Sequence, residues 1–283
     1  MKDIDYADIL REGGFKDVTP LKPGGQRRVF RAKHSDYPEE IVVKIGSYRV
    51  KRQLQRIERE VNLLRGIDSK YYPKNYDFYT LNDSKFIVVE EYIDSEPLHT
   101  CFDKFQKPAE ILSLLKELIQ GLRILWEEKR TVHRDLKPGN ILIKPDGSPV
   151  IIDLGIARLL DLESLTYTFA LRGPCTPPYA APEQLSNRKT KISHRTDQFA
   201  LGIVILQLMM KGKHPFDPYD SRSVEIVVEN ILSDRWDRTI IERSEFSQMF
   251  PLVTTLLGQE PHMRYRTPDM LLEEINKCME SLK

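Results

Sequence analysis

The hydrophobic pattern in the first third of the chain predicts short strands and one helix. Runs rich in β-branched residues predict strands at residues 29–32, 41–44 and 86–89. Between the last two, apolar residues recur at the spacing of one helix face. That stripe consists of Leu54, Ile57, Val61 and Leu64. Residues 94–97, which read DSEP, contain turn-forming residues and predict a linker.

Helical patterns dominate the rest of the chain. One helix is predicted to begin at Pro108, because proline and the acidic Glu110 both favour a helix N-terminus. Residues 199–210 are uncharged but too few to cross a bilayer, so they predict a buried helix. A last helix is predicted at residues 268–279. The apolar face of the helix that begins at Pro108 is formed by Ile111, Leu115, Leu118, Leu122, Leu125 and Trp126. Strands followed by helices predict an α+β fold in two parts.

The residues most informative about chemistry are 133–140, which read HRDLKPGN. This stretch resembles the catalytic loop of eukaryotic-type protein kinases, HRDxxxxN. The resemblance implies that Asp135 orients the attacking hydroxyl and accepts its proton. It implies that Asn140 binds a magnesium ion and that Lys137 reaches the γ-phosphate of ATP.

Two further motifs lie on either side of this loop. Residues 153–155 read DLG and resemble the magnesium-binding DFG triplet, which makes Asp153 a metal ligand. A short strand, residues 149–152, is predicted to present it. Upstream, Lys44 closes a strand that resembles the VAIK motif and is expected to pair with the α- and β-phosphates. Its expected ion-pair partner on the following helix is Glu60, with Glu58 as the alternative.

The glycine-rich loop of the family is altered here. Residues 22–29 read KPGGQRRV where the family has GxGxxGxV. Gly24 keeps its place, Gly25 is added beside it, and Arg27 replaces the third glycine. Fewer glycines predict a stiffer loop or one further from the phosphates.

Residues 91–93 resemble the hinge that joins the two kinase lobes. The resemblance assigns the adenine hydrogen bonds to the backbone of Glu91 and Ile93. It puts Glu90 at the gatekeeper position, where a carboxylate is unusual. Since a buried unpaired charge is costly, we expect Glu90 to pair with Lys44 or a backbone donor. A one-residue misalignment is the other explanation. The adenine ring is expected to lie between Val29, Val42 and Leu142.

Residues 175–183, CTPPYAAPE, resemble the end of a kinase activation segment. Glu183 is expected to pair with Arg264, or alternatively with Arg266. Lys137 and Thr176 together follow the serine/threonine-specific pattern of the family.

Arg134 suggests control by phosphorylation, because in the family such an arginine docks a phosphorylated activation segment. The candidate acceptors are Ser164, Thr166, Tyr167 and Thr168. We expect autophosphorylation at Thr166 or Thr168.

Composition narrows the remaining possibilities. The chain has 43 Lys plus Arg against 42 Asp plus Glu, so its net charge of +1 predicts no nucleic-acid partner. The three cysteines form no CxxC pair, which argues against a disulfide framework or zinc site. The first twenty residues lack the apolar core of a signal peptide. We therefore expect a cytoplasmic protein without a membrane-spanning segment in this chain; its oligomeric state stays open.

These motifs predict one protein kinase domain over residues 1–283, with a small β-rich N-lobe (1–90), a hinge (91–97) and a larger helical C-lobe (98–283). The activation segment is expected at residues 153–183. The function implied is transfer of the γ-phosphoryl group of ATP to serine or threonine of protein substrates, with Mg²⁺, or alternatively Mn²⁺. A pseudokinase that binds nucleotide or a partner is the second hypothesis. Kinase-like enzymes acting on small molecules usually lack the APE block and the lysine after the catalytic aspartate.

Overall fold

A computed structural model describes residues 6–21, 27–82, 84–154, 176–217, 219–242 and 245–282. The chain divides into two compact units, Met1–Asp94 and Ser95–Lys283. The first unit is mainly β-sheet and the second mainly helical. The predicted α+β fold, with a β-rich N-terminal lobe and a helical C-terminal lobe, is therefore confirmed.

Among the residues described, the first unit has five strands and two helices. The strands are β1 (Lys16–Pro20), β2 (Arg28–Lys33), β3 (Ile41–Ser47), β4 (Asn75–Asn82) and β5 (Lys85–Glu91). They form one antiparallel sheet in the order β1-β2-β3-β5-β4. The helices are α1 (Tyr6–Glu12) and α2 (Lys51–Arg65). The predicted strands lie within β2, β3 and β5, and the predicted helix is α2.

The interior of this unit is made by alternate positions of the central strands. Ile41, Val43 and Val89 are completely buried, and Leu10 of α1 belongs to the same cluster. On β3, Gly46 lies against the ring of Phe86, and a Cβ atom there would come within 2.2 Å of that ring. Glycine at this position lets the aromatic ring pack directly on the strand.

Strand register fixes which side chains of β3 and β5 are neighbours. Lys44 lies opposite Val88, and Val42 lies opposite Glu90. Lys44 and Glu90 are therefore diagonal neighbours on one face of the sheet, a spacing that long side chains can bridge.

The second unit contains seven α-helices among the residues described. They are α3 (Pro108–Arg123), α4 (Pro182–Leu185), α5 (His194–Met209), α6 (Val224–Leu232), α7 (Thr239–Glu242), α8 (Phe250–Leu256) and α9 (Pro268–Ser281). Helix α3 packs against α9 and α5, and α5 also packs against α8. Residues Thr196–Met209 of α5 are all buried, as the uncharged run predicts. Within the described ranges, no helix is both long and apolar enough to span a membrane.

A small three-stranded sheet also belongs to this unit. It is formed by β6 (Glu96–Pro97), β7 (Ile141–Ile143) and β8 (Pro149–Ile151), in that order. The boundary between the two units falls within the predicted linker, and the second half of that segment is a short strand, because Glu96 and Pro97 pair with Ile143 and Leu142. Proline is tolerated there because β6 is the edge strand of its sheet.

Helix α3 ends in a widened turn. Residues Ile124–Glu128 are π-helical, and the N–H of Lys129 donates to the carbonyl of Ile124 at 3.0 Å. Such turns hold one more residue than an α-helical turn. Leu125 and Trp126 stay buried through it, so the predicted apolar face continues to its end.

Candidate active site

The carboxylate of Asp135 lies at the centre of a dense hydrogen-bond network in the second unit. Its Oδ1 accepts from the N–H of Thr176 at 2.9 Å and from the Thr176 hydroxyl at 2.6 Å. Its Oδ2 accepts from Lys137 Nζ at 2.9 Å and from Asn140 Nδ2 at 3.1 Å. Asp135 is only 4% exposed. Bonds from both sides fix the plane of the carboxylate, as a group that must orient a reactant requires.

Lys137 joins this carboxylate to the end of the predicted activation segment. Its Nζ donates to Asp135 and also to the Thr176 hydroxyl, at 2.9 Å in each case. The ammonium thus lies beside the carboxylate, where it can stabilise negative charge on a transferred phosphoryl group. The structure therefore brings together three of the predicted site residues.

Asn140 ends a 3₁₀ turn, Pro138–Asn140, just before β7. Its amide nitrogen donates to the backbone carbonyl of Asp135 at 2.8 Å as well as to the carboxylate. The opposite end of the amide is Oδ1, an oxygen of the hard type that Mg²⁺ prefers.

Asp153 lies two residues after the end of β8, the strand that pairs with β7. The N–H of Ile152 donates to the carbonyl of Asn140 at 3.0 Å, which brings residue 153 next to Asn140. Asp153 is partly exposed and has a φ of 55°, in the left-handed region. A carboxylate and an amide oxygen on adjacent backbone segments fit a divalent cation shared with phosphate oxygens.

Asp197, near the start of α5, holds the loop that carries Asp135 through hydrogen bonds. The buried carboxylate of Asp197 accepts from the N–H groups of His133 and Arg134 and from Trp126 Nε1, each at 2.8 Å. Burial raises the pKa of Asp197, and the imidazole of His133 and these donors oppose that shift. Arg134 has a φ of 68°, so the anchor holds the loop in a left-handed turn.

His133 ties the same loop to the strand before Asp153. Its Nε2 lies 3.1 Å from the carbonyl of Ile152, and its Nδ1 accepts from the N–H of Asp135 at 3.3 Å. These partners require the neutral tautomer with the proton on Nε2. Burial lowers the pKa of His133, which favours the same neutral form.

Glu183, at the end of the predicted activation segment, forms a buried ion pair with Arg264. The distances are 2.7 Å from Nη1 of Arg264 to Oε1 of Glu183 and 2.9 Å from Nη2 to Oε2. The predicted pairing is therefore present with Arg264, and the alternative, Arg266, is exposed. Next to Glu183, Gln184 donates from Nε2 to the carbonyl of Arg134 at 2.9 Å, which links this segment to the loop that carries Asp135.

In the first unit, Lys44 pairs with Glu90. Their Nζ and Oε2 atoms are 2.7 Å apart, and each residue is 6% exposed. Of the partners considered for Glu90, the structure therefore shows the lysine. The side chain of Glu60 lies outside the part that the structure describes, and Glu58 is exposed on α2.

The predicted adenine-binding residues lie on several elements. Val29 of β2 and Val42 of β3 are half-buried, as is Leu142 of β7. Glu91 at the end of β5 donates its N–H to the carbonyl of Lys74 at 2.8 Å, and Ile93 follows it. Their contacts with nucleotide stay predictions.

The model of the family described as the protein kinase domain matches residues 15–275. The chain belongs to the protein kinase family. A serine/threonine-protein kinase of Bacillus subtilis, PrkC, is 25% identical over 95% of this chain and 41% of its own length. The serine/threonine-protein kinase pkn2 of Myxococcus xanthus is 27% identical over 97% of this chain and 33% of its own length. Serine/threonine-protein kinase 36 of Pongo abelii is 28% identical over 96% of this chain and 19% of its own length. The kinase domain thus spans less than half the length of these relatives.

Sequence reasoning missed one part of this kinase domain, the role of Trp126. The pattern identified Trp126 only as an apolar residue, but its indole N–H reaches Asp197. Tryptophan carries a donor that usually needs a partner when buried, and this was the available signal. Several predicted residues lie outside the described part of the chain: Gly24, Gly25, Ser164, Thr166, Tyr167, Thr168, Cys175 and the side chain of Glu60.

Proposed function

We propose that this chain is a serine/threonine protein kinase that transfers the γ-phosphoryl group of ATP to hydroxyls of protein substrates. The observation that carries the proposal is the network in which Asp135, Lys137 and Thr176 bond to one another. A fixed carboxylate beside a fixed cation is what phosphoryl transfer to a hydroxyl requires.

The chain's own residues have distinct tasks in this mechanism. Asp135 orients the substrate hydroxyl and takes its proton as the oxygen attacks the γ-phosphorus and the bond to ADP breaks. Lys137 stabilises the negative charge on the transferred group, and Lys44 positions the α- and β-phosphates. A divalent cation, held by Asn140 and Asp153, supplies further charge neutralisation when bound. We propose Mg²⁺ for this position, with Mn²⁺ as the alternative.

The preference for serine and threonine rests on the contact between Lys137 and Thr176. Their 2.9 Å hydrogen bond holds the Lys137 ammonium beside the carboxylate of Asp135. Both residues belong to the serine/threonine-specific pattern of the family, and the relatives named above are serine/threonine-protein kinases by name.

The test is incorporation of labelled phosphate from ATP into peptides whose only hydroxyl is serine, threonine or tyrosine. We expect wild-type protein to label the first two, and Asp135→Asn to be slower by about a thousandfold or more. Asp103→Asn, which changes an exposed carboxylate of the same unit, serves as the matched control. A folded wild type that labels no peptide under any condition would favour the pseudokinase alternative.

We also propose autophosphorylation at Thr166 or Thr168. Support comes from Arg134, whose backbone is held by Asp197 and Gln184 and whose side chain belongs to the type that binds phosphate. Mass spectrometry of active protein should find phosphate at one of these threonines and none in Asp135→Asn. Full activity with both threonines unmodified would contradict the idea.

A cytoplasmic location is part of the proposal. It is supported by the buried free thiols of Cys101 and Cys278, which suit a reducing compartment. Burial raises the pKa of Cys101 to about 11, so this thiol stays protonated and unreactive. Localisation of the tagged protein in cells tests this part.

A further inference from the structure

The ion pair between Lys44 and Glu90 is buried within the sheet of the first unit. Both side chains are less than a tenth exposed, and their charged atoms are 2.7 Å apart. Burying either charge alone would be strongly unfavourable, whereas a close pair compensates much of that cost. The two residues therefore behave as one unit, in which each fixes the position of the other.

The pair joins two neighbouring strands, and strand register sets it. Lys44 is opposite Val88, and Glu90 is two residues further along β5 on the same face. The strands β3 and β5 lie in the middle of the sheet, each hydrogen-bonded on both sides. The carboxylate thus reaches the lysine from a rigid neighbouring strand.

We propose that Glu90 is a positioning residue that holds the Lys44 ammonium in place for the phosphates of ATP. This inference rests on the proposed function, in which Lys44 binds the α- and β-phosphates. The carboxylate that the family resemblance assigns to this task is Glu60 on α2. Glu90 supplies a carboxylate from within the sheet itself, at a position fixed by the register of β3 and β5.

The chemistry of the two groups allows both contacts at once. An ammonium group has three hydrogen-bond donors. A bond to Glu90 Oε2 uses one of them, so pairing with Glu90 does not by itself prevent contact with phosphate oxygens. Fixing the lysine before nucleotide arrives reduces the entropy lost when the phosphates bind.

The test is calorimetric titration of wild type, Glu90→Gln and Glu90→Asp with MgATP and, separately, with adenosine. Gln keeps the size and removes the charge; Asp keeps the charge and withdraws it by one methylene group. We expect each variant to bind MgATP about tenfold more weakly, because Lys44 is no longer fixed. Adenosine has no phosphates, so its affinity should fall much less than that of MgATP.

Asp17→Asn is the matched control. It neutralises the carboxylate that pairs with Lys33 at 3.0 Å on the same sheet. Both side chains of this pair are more than half exposed. We expect this control to bind MgATP like the wild type, because an exposed pair contributes little.

Two results would overturn the proposal. One is an unchanged or tighter MgATP affinity in the folded Glu90 variants; the other is an equal loss for MgATP and adenosine, which would indicate general damage. If Glu90→Gln does not fold, Glu90→Asp decides. The readout is binding, so it is separate from the phosphate-transfer assay that tests the proposed function.

Discussion

Arg264 and Glu183 meet through two parallel hydrogen bonds in the interior of the second unit. Neither side chain is more than 1% exposed, and Arg264 also donates to the carbonyls of Gly258 and Arg195. Lysine cannot reproduce this planar fork of donors. We therefore expect Arg264→Lys to lower the free energy of unfolding by about 1–3 kcal/mol, because lysine keeps the charge but leaves buried acceptors without a donor; urea denaturation measures this.

Arg266→Lys provides the comparison for that measurement. Arg266 is exposed two residues away. Its replacement should change the free energy of unfolding by less than about 0.5 kcal/mol. Equal effects of the two substitutions would show that the fork geometry does not matter.

Thr176 contributes both its hydroxyl and its N–H to the carboxylate of Asp135. Thr176→Val removes the hydroxyl and leaves the shape nearly unchanged, so Asp135 and Lys137 each lose one fixed contact. We expect kcat for phosphoryl transfer to fall about tenfold or more, since a buried hydrogen bond to a charged group contributes about 1.5–3 kcal/mol.

Thr176→Ser keeps the hydroxyl and should retain most of the activity. Steady-state kinetics of both variants with one peptide substrate measure the difference. A serine variant as slow as the valine variant would mean that the methyl group, and not the hydroxyl, is what the site needs.

Trp126 supplies one of the three donors to the buried carboxylate of Asp197. Trp126→Phe removes that donor and keeps an aromatic ring. We expect a loss of about 1–3 kcal/mol in the free energy of unfolding, the usual result of leaving a buried acceptor short of a partner. The rate of phosphoryl transfer should fall as well, because Asp197 holds the backbone of His133 and Arg134.

Trp236→Phe is a suitable control for that substitution. Trp236 is buried in the same unit, and the described residues include no hydrogen-bond partner for its indole nitrogen. Its replacement should leave the transfer rate unchanged. Equal rate losses for the two substitutions would show that the hydrogen bond from Trp126 to Asp197 has no specific effect on phosphoryl transfer.

His214 gives the domain a predictable dependence on pH. Its Nε2 lies 2.9 Å from the carbonyl of Pro178, and burial lowers its pKa from 6.5 to about 4, a shift that this carbonyl and Asp217 oppose. Between these values the unfolded chain binds a proton that the folded state does not bind. Stability therefore falls as the pH is lowered from 6.5 to 4, by up to about 3 kcal/mol from this residue.

His214→Asn removes the titrating group. Urea denaturation at several pH values should show a shallower fall for the variant than for the wild type. His133 and His194, whose pKa values are also lowered by burial, contribute to both curves and cancel in the comparison. Parallel curves would show that His214 does not titrate in this range.

The sequence made some features of this kinase domain predictable and left others open. Asp135, Lys137 and Asn140 lie within one short motif whose spacing is dictated by its chemistry, so their proximity could be read directly. The pairing of Glu183 with Arg264 spans 81 positions and was accessible only through the family resemblance.

Contacts set by register or by helix geometry were harder to foresee. The sequence offered the pairing of Lys44 with Glu90 only as one of two alternatives, because it depends on which residues of β3 and β5 lie side by side. A slip of two residues would leave every side chain on the same face of the sheet, so the hydrophobic pattern does not exclude it. The bond between Trp126 and Asp197 joins residues 71 positions apart and involves one atom of an otherwise apolar side chain. The strand pairing of Glu96 and Pro97 depends on a partner, β7, that lies much later in the chain.

The widened turn at Ile124–Glu128 makes the number of residues important in the segment before the loop that carries Asp135. Each residue in an α-helix advances the direction of the next side chain by roughly 100°, and each residue in a π-helical turn advances it by less. Removing one residue between the buried face of α3 and Trp126 would rotate the indole away from Asp197 even if no other side chain changed. The number of residues in this segment therefore matters as much as their identity, because it sets the direction in which Trp126 points.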